Sequence, residues 1–310
     1  MRILLTGSSG WLGQTLAPRL RALGHELTGL DPVPSPQTSV VGSVADRDLV
    51  RATIAKARPQ AILHAGALHK PNIEQHSRQA FVDVNVTGTL NLLEEAISQG
   101  VERFVFTSTT SLMISRQIRA GAAGGATRAV WLTEDIAPQP RNIYGVTKFA
   151  AENLCRLFHQ EHGLPIVVLR TARFFPETDD MAHAIAQSDE NTKANELLFR
   201  RLTVEDAAQA HIAALDRAPQ IGFDTFIVSA TPPFTLDDAE ALIADAPAVV
   251  ARYFPHYPAL YARRGWTMFQ SIDRIYDPSR AARRLGFACK TGFAEMLTGL
   301  EALDRTIGAQ

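Results

Sequence analysis

The chain has 310 residues, of which 46% are hydrophobic and 20% charged, as in a soluble globular protein with a sizeable core. Its 31 basic and 32 acidic residues nearly cancel and create no strong overall electrostatic field. Nucleic acid and anionic membranes are therefore not expected partners, and a small-molecule partner is favoured. Two distant cysteines, and no His, Asp or Glu grouping at metal spacing, predict neither a disulfide framework nor a metal site. A short apolar run before Gly7 and the lack of a membrane-length apolar stretch predict a cytoplasmic protein.

Strand-like and helix-like patterns alternate through the first half of the chain. Three runs are apolar throughout, as parallel strands covered on both faces should be: "AILHAGA", "FVFTS" and "IVVLR". The alternation weakens after residue 172, where polar stretches appear. The sequence therefore predicts an α/β fold with a doubly wound parallel sheet and a smaller C-terminal cap. The sheet unit is expected to span 1–172, with 201–230 returning to it, and the cap to span 173–200 and 231–310.

Three glycines, Gly7, Gly10 and Gly13, follow the first predicted strand and open the first predicted helix. Their spacing suits a tight turn, a close approach of the backbone to a pyrophosphate, and close packing of helix on strand. Asp31 ends the second apolar run, where a carboxylate can bind both ribose hydroxyls and repel a 2′-phosphate. These residues predict a dinucleotide site that prefers NAD to NADP. The alternatives are an ordinary strand-to-helix turn and, for Asp31, an Asp-Pro turn.

Tyr144 and Lys148 are four residues apart in a predicted helix, so the phenol and the ammonium lie on one face. The cation is expected to lower the pKa of the tyrosine, which lets the phenol exchange a proton with a carbinol or carbonyl near neutral pH. A hydroxyl at the end of the strand "FVFTSTTS" can orient the same oxygen. This spacing alone also fits a surface pair on a helix, but together with the glycine turn it favours an oxidoreductase site.

Further segments occur in the order typical of a known family, namely "HAGA", "NVTGTLNLLEEA", "LR", "VEDAAQAH" and "DPSRAARRLGF". With the glycine turn, the chain resembles the extended short-chain dehydrogenase/reductase family, also called the NAD-dependent epimerase/dehydratase family. The resemblance implies a Rossmann fold, NAD as cofactor, and Thr109, Tyr144 and Lys148 as catalytic residues. The implied cofactor contacts are Gly7, Gly10, Trp11, Leu12, Gly13, Asp31, Ser43, Val44, Ala65, Gly66, Ala67 and Asn85, with Tyr144 and Lys148.

The substrate side departs from the family pattern. Thr110 and Ser111 stand where dehydratases of the family carry an Asp-Glu pair, so dehydration is not expected. Arg173 stands where nucleotide-sugar epimerases usually have Asn, and a guanidinium can grip a carboxylate or phosphate. The alternative is a structural ion pair of Arg173 with Glu177 or Asp206. The short segment that follows, with "FPE" and "LTVED", looks more like the uronate dehydrogenases of the family.

Two other segments are candidates for contact with the substrate. His69 and Lys70 follow a central strand at the edge where doubly wound sheets bind ligands, with a plain polar turn as the alternative. The segment 112–133 is long and carries three arginines, so it is either a lid or a solvated loop. The substrate-binding set is therefore predicted to be His69, Lys70, Thr110 and Arg173.

The function expected is NAD-dependent oxidation or reduction of a hydroxyl or carbonyl in a sugar-like, anionic small molecule. One alternative retains the reduced cofactor and returns the hydride to the opposite face, as a sugar or nucleotide-sugar epimerase does. A third, from another class, is a dinucleotide-sensing protein without chemistry. By the resemblance, a homodimer is expected through the helices at 74–98 and 144–162, with apolar positions supplied by Phe149, Leu154, Leu157 and Phe158.

Overall fold

The computed structural model describes residues 1–119, 125–176 and 187–308, with side chains described as far as residue 306. Within these residues, seven parallel strands form the main sheet in the order β3-β2-β1-β4-β5-β7-β8. The order reverses between β1 and β4, which confirms the predicted doubly wound, Rossmann-like α/β fold. The strands are β1 Arg2–Thr6, β2 Glu26–Asp31, β3 Val40–Val41, β4 Ala61–His64, β5 Arg103–Thr109, β7 Ile166–Thr171 and β8 Phe223–Val228.

Helices cover both faces of the sheet because alternate strand residues point to opposite sides. Ile3 and Leu5 of β1 pack in one core with α1 and α7, whereas Leu4 packs in another with α2, α4 and α5. This explains why the central strands are apolar throughout. The helices that flank the sheet are α1 Trp11–Ala22, α2 Arg47–Ala57, α3 Arg78–Phe81, α4 Gly88–Ser98, α5 Ile143–His162 and α7 Val204–Ile221.

A second hydrophobic core lies outside the main sheet. It is formed by residues 197–199, by 230–297 and by Ala129, with Trp131 packed against it. A parallel pair of short strands, β6 Val130–Leu132 and β9 Arg274–Tyr276, joins the segment before α5 to this core. We call this region, with α6, the cap. Its helices are α6 Asp189–Glu196, α8 Ala239–Ala244, α9 Ala246–Tyr253, α10 Tyr257–Arg264 and α11 Phe293–Gly308.

One helical run contains a local widening at the site. Helices α3 and α4 are joined by a π-helical turn, Val82–Thr87, which holds the buried Asn85. Such turns are rare and often occur at functional positions. In the described part of the chain, no helix is long and apolar enough to cross a membrane.

Candidate active site

The glycine turn between β1 and α1 has no room for side chains. Gly7 has φ of 73°, and a Cβ there would lie 2.7 Å from the backbone carbon of Ala65. A Cβ on Gly13 would collide with the carbonyl oxygen of Gly7, so the helix lies directly on the turn. Gly10 is less constrained, because its Cβ would be 3.3 Å from that oxygen. This bare backbone at a helix N-terminus fits a pyrophosphate.

Asp31 ends β2 beside this turn and is 7% exposed. Its carboxylate accepts hydrogen bonds from the backbone N–H groups of Ser9, at 3.1 Å, and Val33, at 2.9 Å. Both contacts fix the carboxylate against the turn, and each of its oxygens retains accepting capacity. The N–H contact from Val33 matches the Asp-Pro turn interpretation, and binding of the ribose hydroxyls by Asp31 stays a prediction.

The other predicted cofactor contacts are spread around the same edge of the sheet. Trp11 is 47% exposed and Leu12 is buried in the core, both in the first turn of α1. Val44 is buried after β3, and the hydroxyl of Ser43 accepts from the N–H of Ala45. These positions agree with a site along the carboxyl ends of β1–β3. Direct contacts of Ser43 and Val44 with adenine stay predictions.

A buried hydrogen-bond chain links the end of β1 and the loop after β4 to the helical run of α3 and α4. The N–H of Gly66 donates to the Thr6 hydroxyl, which contacts His64 Nδ1 at 2.7 Å. His64 Nε2 contacts the Thr89 hydroxyl at 3.0 Å, and that hydroxyl donates to the carbonyl of Asn85. Because Thr89 donates onward, His64 must carry its proton on Nε2 and accept at Nδ1. Burial lowers the pKa of His64 well below its ordinary value, as expected for a core histidine.

Asn85 clamps two parts of the site together. Its side-chain oxygen accepts from the N–H of Leu68, and its amide donates to the carbonyl of Leu68 and to the hydroxyl of Thr147 in α5. The residue is 1% exposed. Asn85 therefore positions the loop after β4 against the helix of Tyr144, and its predicted role as a direct cofactor contact stays untested.

Thr109, Tyr144 and Lys148 come together at the carboxyl end of β5. Burial raises the pKa of Tyr144 to about 12, and a hydrogen bond with Thr109 opposes that shift. Burial also lowers the pKa of Lys148 to about 7, although Glu152 acts in the opposite direction. The ammonium lies 4.0 Å from the centre of the Phe106 ring. The expectation that Lys148 lowers the pKa of Tyr144 is not met in this geometry, because burial dominates both groups.

An ion pair beneath the catalytic residues was not predicted from the sequence. Arg170 in β7 donates to both carboxylate oxygens of Glu152 in α5, at 3.1 and 2.8 Å, and Ser108 donates to the same carboxylate at 2.6 Å. Glu152 and Arg170 are 6% and 5% exposed. Since Ser108 adjoins Thr109 and Glu152 follows Lys148 by one turn, this triad fixes β5, β7 and α5 relative to one another.

The sequence contains only an indirect signal for this triad. Lys148 and Glu152 are four residues apart, a spacing that usually marks an exposed pair on a helix surface. Arg170 was identified as part of the family segment "LR", without a role. A buried charge in a central strand needs a partner, so an arginine ending an apolar strand is the sign that points to a buried carboxylate.

The predicted substrate contacts lie in different surroundings. His69 stacks on Phe175, with ring centres 4.9 Å apart, and Phe175 stacks on Phe174 at 4.4 Å. This joins the loop after β4 to the segment after β7. Lys70 begins a 3₁₀ turn, Lys70–Asn72. Thr110 is 4% exposed and its hydroxyl donates to the carbonyl of Thr171, so a substrate contact there stays a prediction.

Arg173 lies near the carboxylate of Glu196, a partner that was not predicted from the sequence. Its Nε lies 4.0 Å from Glu196, which is fully buried. The structural alternative with Asp206 is wrong, because that carboxylate accepts from the N–H groups of Lys290 and Thr291. Glu177 lies outside the described residues. Arg173 thus has a structural partner, and its predicted contact with substrate stays untested.

Parts of the segment 112–133 are packed in the core or in a strand and cannot act as a lid. Leu112, Met113 and Ile114 are buried in the core beside α7, and Leu132 belongs to β6. Residues 120–124 of this segment lie outside the described part of the chain. Ile118 is buried in the same core and Ala129 in the second core, so the lid stays a prediction for the residues between them.

The profile of the NAD dependent epimerase/dehydratase family matches residues 3–225. The chain belongs to this family. Membership confirms the family inferred from the motifs and NAD as its cofactor. The steric limits at Gly7 and Gly13, together with the anchored Asp31, are the features of this chain that fit NAD. In the ranges that the structure describes, no group of three or more metal-ligating side chains occurs.

The relatives include both epimerases and dehydrogenases. The chain is 30% identical over 175 residues to a UDP-glucose 4-epimerase of Rhizobium meliloti (strain 1021), covering 54% of this chain and 50% of that protein. It is 34% identical over 126 residues to a 3-beta-hydroxysteroid dehydrogenase of Mycolicibacterium neoaurum, covering 37% and 34%. The chain thus spans about half, or less, of the curated relatives that it matches.

A solved structure matches over a greater length. A UDP-glucose 4-epimerase of Thermotoga maritima, crystallised with UDP-glucose, superposes with a TM-score of 0.68, covering 99% of this chain and 100% of that chain. The two sequences are 20% identical. This likeness extends the shared fold through the cap.

Proposed function

We propose that the protein is an NAD-dependent oxidoreductase acting on a hydroxyl or carbonyl of an anionic, sugar-like small molecule. The observation that carries the proposal is the convergence of Thr109, Tyr144 and Lys148 at the same edge of the sheet as the glycine turn. Tyr144 and Lys148 are 8% and 3% exposed, so a substrate that reaches them meets a phenol and an amine shielded from bulk water. Proton transfer by a positioned phenol is the chemistry such a pair performs.

In the proposed mechanism NAD supplies the hydride acceptor when it is bound. Tyr144 acts as a base in its phenolate form: the phenolate oxygen takes the proton of the substrate hydroxyl and becomes the neutral phenol, and Thr109 holds that oxygen by hydrogen bonding. Burial raises the pKa of Tyr144 to about 12, so the phenolate needs stabilisation, which the ammonium of Lys148 supplies in this proposal once substrate and NAD are bound. The Ser108–Glu152–Arg170 triad keeps these groups in register, because it connects β5 and α5, the two elements that carry them, with each other and with β7.

The cofactor is held at the same edge of the sheet. In this proposal the backbone of the glycine turn binds the pyrophosphate and Asp31 binds the hydroxyls of the adenosine ribose. Asn85 acts as a positioning residue through Leu68 and Thr147. The proposal assigns His69 and Lys70 to the substrate side, and the stacking of His69 on Phe175 supports this assignment.

A second candidate function is epimerisation with retained cofactor, favoured by the 30% identity to a UDP-glucose 4-epimerase. Both functions use the same three side chains, so the fate of the hydride must be measured. Purified protein with added NAD is incubated with candidate sugar acids, sugar phosphates and UDP-sugars, and absorbance of free NADH is followed after gel filtration. Release of NADH supports the oxidoreductase, whereas substrate conversion without net NADH supports the epimerase.

The same experiment tests the alternative that the protein senses a dinucleotide and performs no chemistry. A protein that binds NAD tightly but converts no member of the panel, with or without Tyr144, fits a sensor. The intact catalytic set argues against that alternative, because a binding protein has no need of a shielded phenol and amine. Equal behaviour of the parent and Tyr144→Phe toward every compound contradicts the proposed oxidoreductase.

We also propose a homodimer through α5 and the helical run 78–98. Val146 and Leu157 on α5 are 47% and 42% exposed, which leaves apolar surface that a partner helix can cover. Phe158 is 8% exposed and packs in the core, so its predicted place in the interface is not supported. Light scattering at micromolar concentration tests the proposal, and a monomeric mass contradicts it.

A further inference from the structure

A cavity of about 240 Å³ lies between α5 and the edge strand β8. Phe149, Asn153 and Arg156 line it from α5, where spacings of four and three residues place them on one face of the helix. Phe223 and Thr225 line it from β8. The cavity is larger than the ~150 Å³ that holds benzene in a protein core and smaller than the ~300 Å³ at which drug-sized sites begin. Its volume therefore suits one ring with a small substituent.

The three carboxylates that line this cavity have cationic partners. Glu152 pairs with Arg170 at 2.8 Å, in the triad described above. Glu134 and Asp135, from the segment before α5, lie 3.5 and 2.7 Å from the guanidinium of Arg280. Each of these negative charges is thus offset by a nearby guanidinium, which reduces the repulsion that an anion placed in the cavity would meet.

Arg156 is the charged group of the lining whose donors are still available. Its guanidinium carbon lies 4.8 Å from the centre of the Phe223 ring, and the described residues provide it with no carboxylate partner. A guanidinium that lies over an aromatic ring keeps its N–H groups in its own plane, where they can donate two parallel hydrogen bonds. Arg156 can therefore bind a carboxylate inside the cavity without breaking an existing ion pair.

The hydroxyl of Thr225 is a second polar group at the cavity with unused capacity. Thr225 is 8% exposed, and its hydroxyl has no hydrogen-bond partner among the residues that the structure describes. A buried hydroxyl without a partner costs free energy, which a ligand that hydrogen-bonds to it recovers. This observation is independent of the charge of Arg156, and it points to a polar ligand in the same space.

We propose that this cavity is a second small-molecule site, separate from the NAD and substrate sites, and that it binds an aromatic monocarboxylate. The carboxylate accepts hydrogen bonds from Arg156 and Thr225, and the ring packs against Phe149 and Phe223. One negative charge matches the one available guanidinium, whereas a dianion would leave a charge unbalanced. Lys148 directly precedes Phe149, so the ligand contacts the helix that carries the catalytic amine.

The test measures binding of 4-fluorobenzoate to protein saturated with NAD and requires no turnover. The fluorine NMR linewidth of the probe is followed during the titration and gives its Kd. Arg156→Gln is expected to weaken binding about tenfold or more, because charge-assisted hydrogen bonds are lost, and Thr225→Val about three- to tenfold. Arg217→Gln, which removes an exposed guanidinium of α7, is the matched control and should change the Kd by less than about twofold.

Two related probes separate the contributions of the ring and the charge. 4-Fluorobenzyl alcohol keeps the ring and lacks the negative charge, whereas trifluoroacetate keeps the charge and lacks the ring. Both are expected to bind at least about tenfold more weakly than 4-fluorobenzoate. If either bound as tightly as 4-fluorobenzoate, the assignment of the ligand as an aromatic carboxylate would be wrong.

The remaining outcomes separate this site from the site of the proposed reaction. Absence of 4-fluorobenzoate binding to the parent protein, or unchanged binding in Arg156→Gln, overturns the proposal. Binding that is lost in Arg173→Ala and retained in Arg156→Gln indicates the substrate site and also overturns it. Because Arg156 is exposed, its variant keeps the test valid if Thr225→Val fails to fold. Failure to form NADH with any candidate substrate affects only the proposed function.

Discussion

The polar groups beneath the catalytic residues and those beneath the cap are balanced differently. In the sheet, Arg170 meets both oxygens of Glu152, and His64 has a hydroxyl partner at each nitrogen. At the cap, Glu196 is shared by several guanidinium groups and a buried Nε of Arg274 meets no described acceptor. Both regions are buried, so the contrast does not come from solvent screening.

This difference bears on which ion pair matters most for stability. A buried network in which every member is satisfied rigidifies the backbone, and the loss of one member leaves its partner buried without a counter-charge. A carboxylate that several guanidinium groups contact keeps a counter-charge when one of them is removed. The ion pair of the sheet is therefore expected to contribute more to stability than any single pair of the cap.

Removing the hydroxyl of Tyr144 tests whether catalysis depends on this side chain and not on the ion pairs of Glu152 or Glu196. Tyr144→Phe is expected to lower kcat by about 10²- to 10⁴-fold, the usual contribution of a positioned acid or base. Initial rates of NADH formation provide the measurement. Tyr253→Phe, at a partly exposed tyrosine that donates to Asp238, is the control and should keep nearly full activity. A comparable loss in both variants would contradict the role of Tyr144.

Breaking each ion pair compares the two regions directly. Arg170→Met leaves Glu152 buried and unpaired, which is expected to cost about 3–5 kcal/mol of stability. Arg173→Met is expected to cost much less, because Glu196 keeps Arg200 and Arg201. Urea unfolding of both variants measures the difference. Equal destabilisation would remove the contrast drawn between the regions.

Substitution of Lys148 is expected to have the opposite effect on stability, because removal of its buried amine stabilises the folded protein. Because burial lowers its pKa to about 7, the unfolded chain holds a proton that the folded chain lacks between about pH 10 and pH 7. Stability from this group therefore falls as pH drops through that window and is lowest below pH 7. Lys148→Met is expected to stabilise NAD-free protein by about 1–3 kcal/mol at pH 7 while abolishing activity.

Melting temperatures at pH 7 and pH 9 measure this effect. The gain from Lys148→Met should be greater at pH 7, whereas Lys56→Met, at an exposed lysine on α2, should show no such pH dependence. If Lys148→Met were less stable than the parent at both pH values, the contacts of the amine would stabilise the folded protein by more than its burial destabilises it.

The smallest effect concerns Asp31 and the choice of dinucleotide. NAD is expected to bind at least tenfold more tightly than NADP, or about 1.4 kcal/mol, because a 2′-phosphate meets a carboxylate held against the glycine turn. Calorimetric titration of both dinucleotides gives the ratio. Asp31→Asn should reduce the ratio, and equal affinities in the parent chain would place Asp31 outside the ribose site.

The parts that the sequence predicted well depend on short-range patterns. The turn at Gly7 and Gly13, and the pairing of Tyr144 with Lys148 on one helix, follow from spacing within a few residues. The buried strands follow from their continuous apolar runs.

The parts that it did not predict depend on residues distant in the chain. Local spacing does not show that Arg170 meets Glu152, or that Asp206 binds the backbone of Lys290. The shift of the Tyr144 pKa was predicted in the wrong direction for a related reason. Sequence spacing shows that a lysine lies near the phenol, but the burial that raises the pKa depends on the whole fold.

The parallel pairing of β6 with β9 has a consequence for biosynthesis. Val130 is translated 144 residues before its partner Arg274. Domains generally begin to fold from the N-terminal side during synthesis, and contacts of large sequence separation form late. The main sheet and its glycine turn can therefore assemble on the nascent chain, whereas the second core is completed only after β9 pairs with β6. A chain stalled before residue 274 should accordingly contain all seven strands of the main sheet and lack the β6–β9 pair.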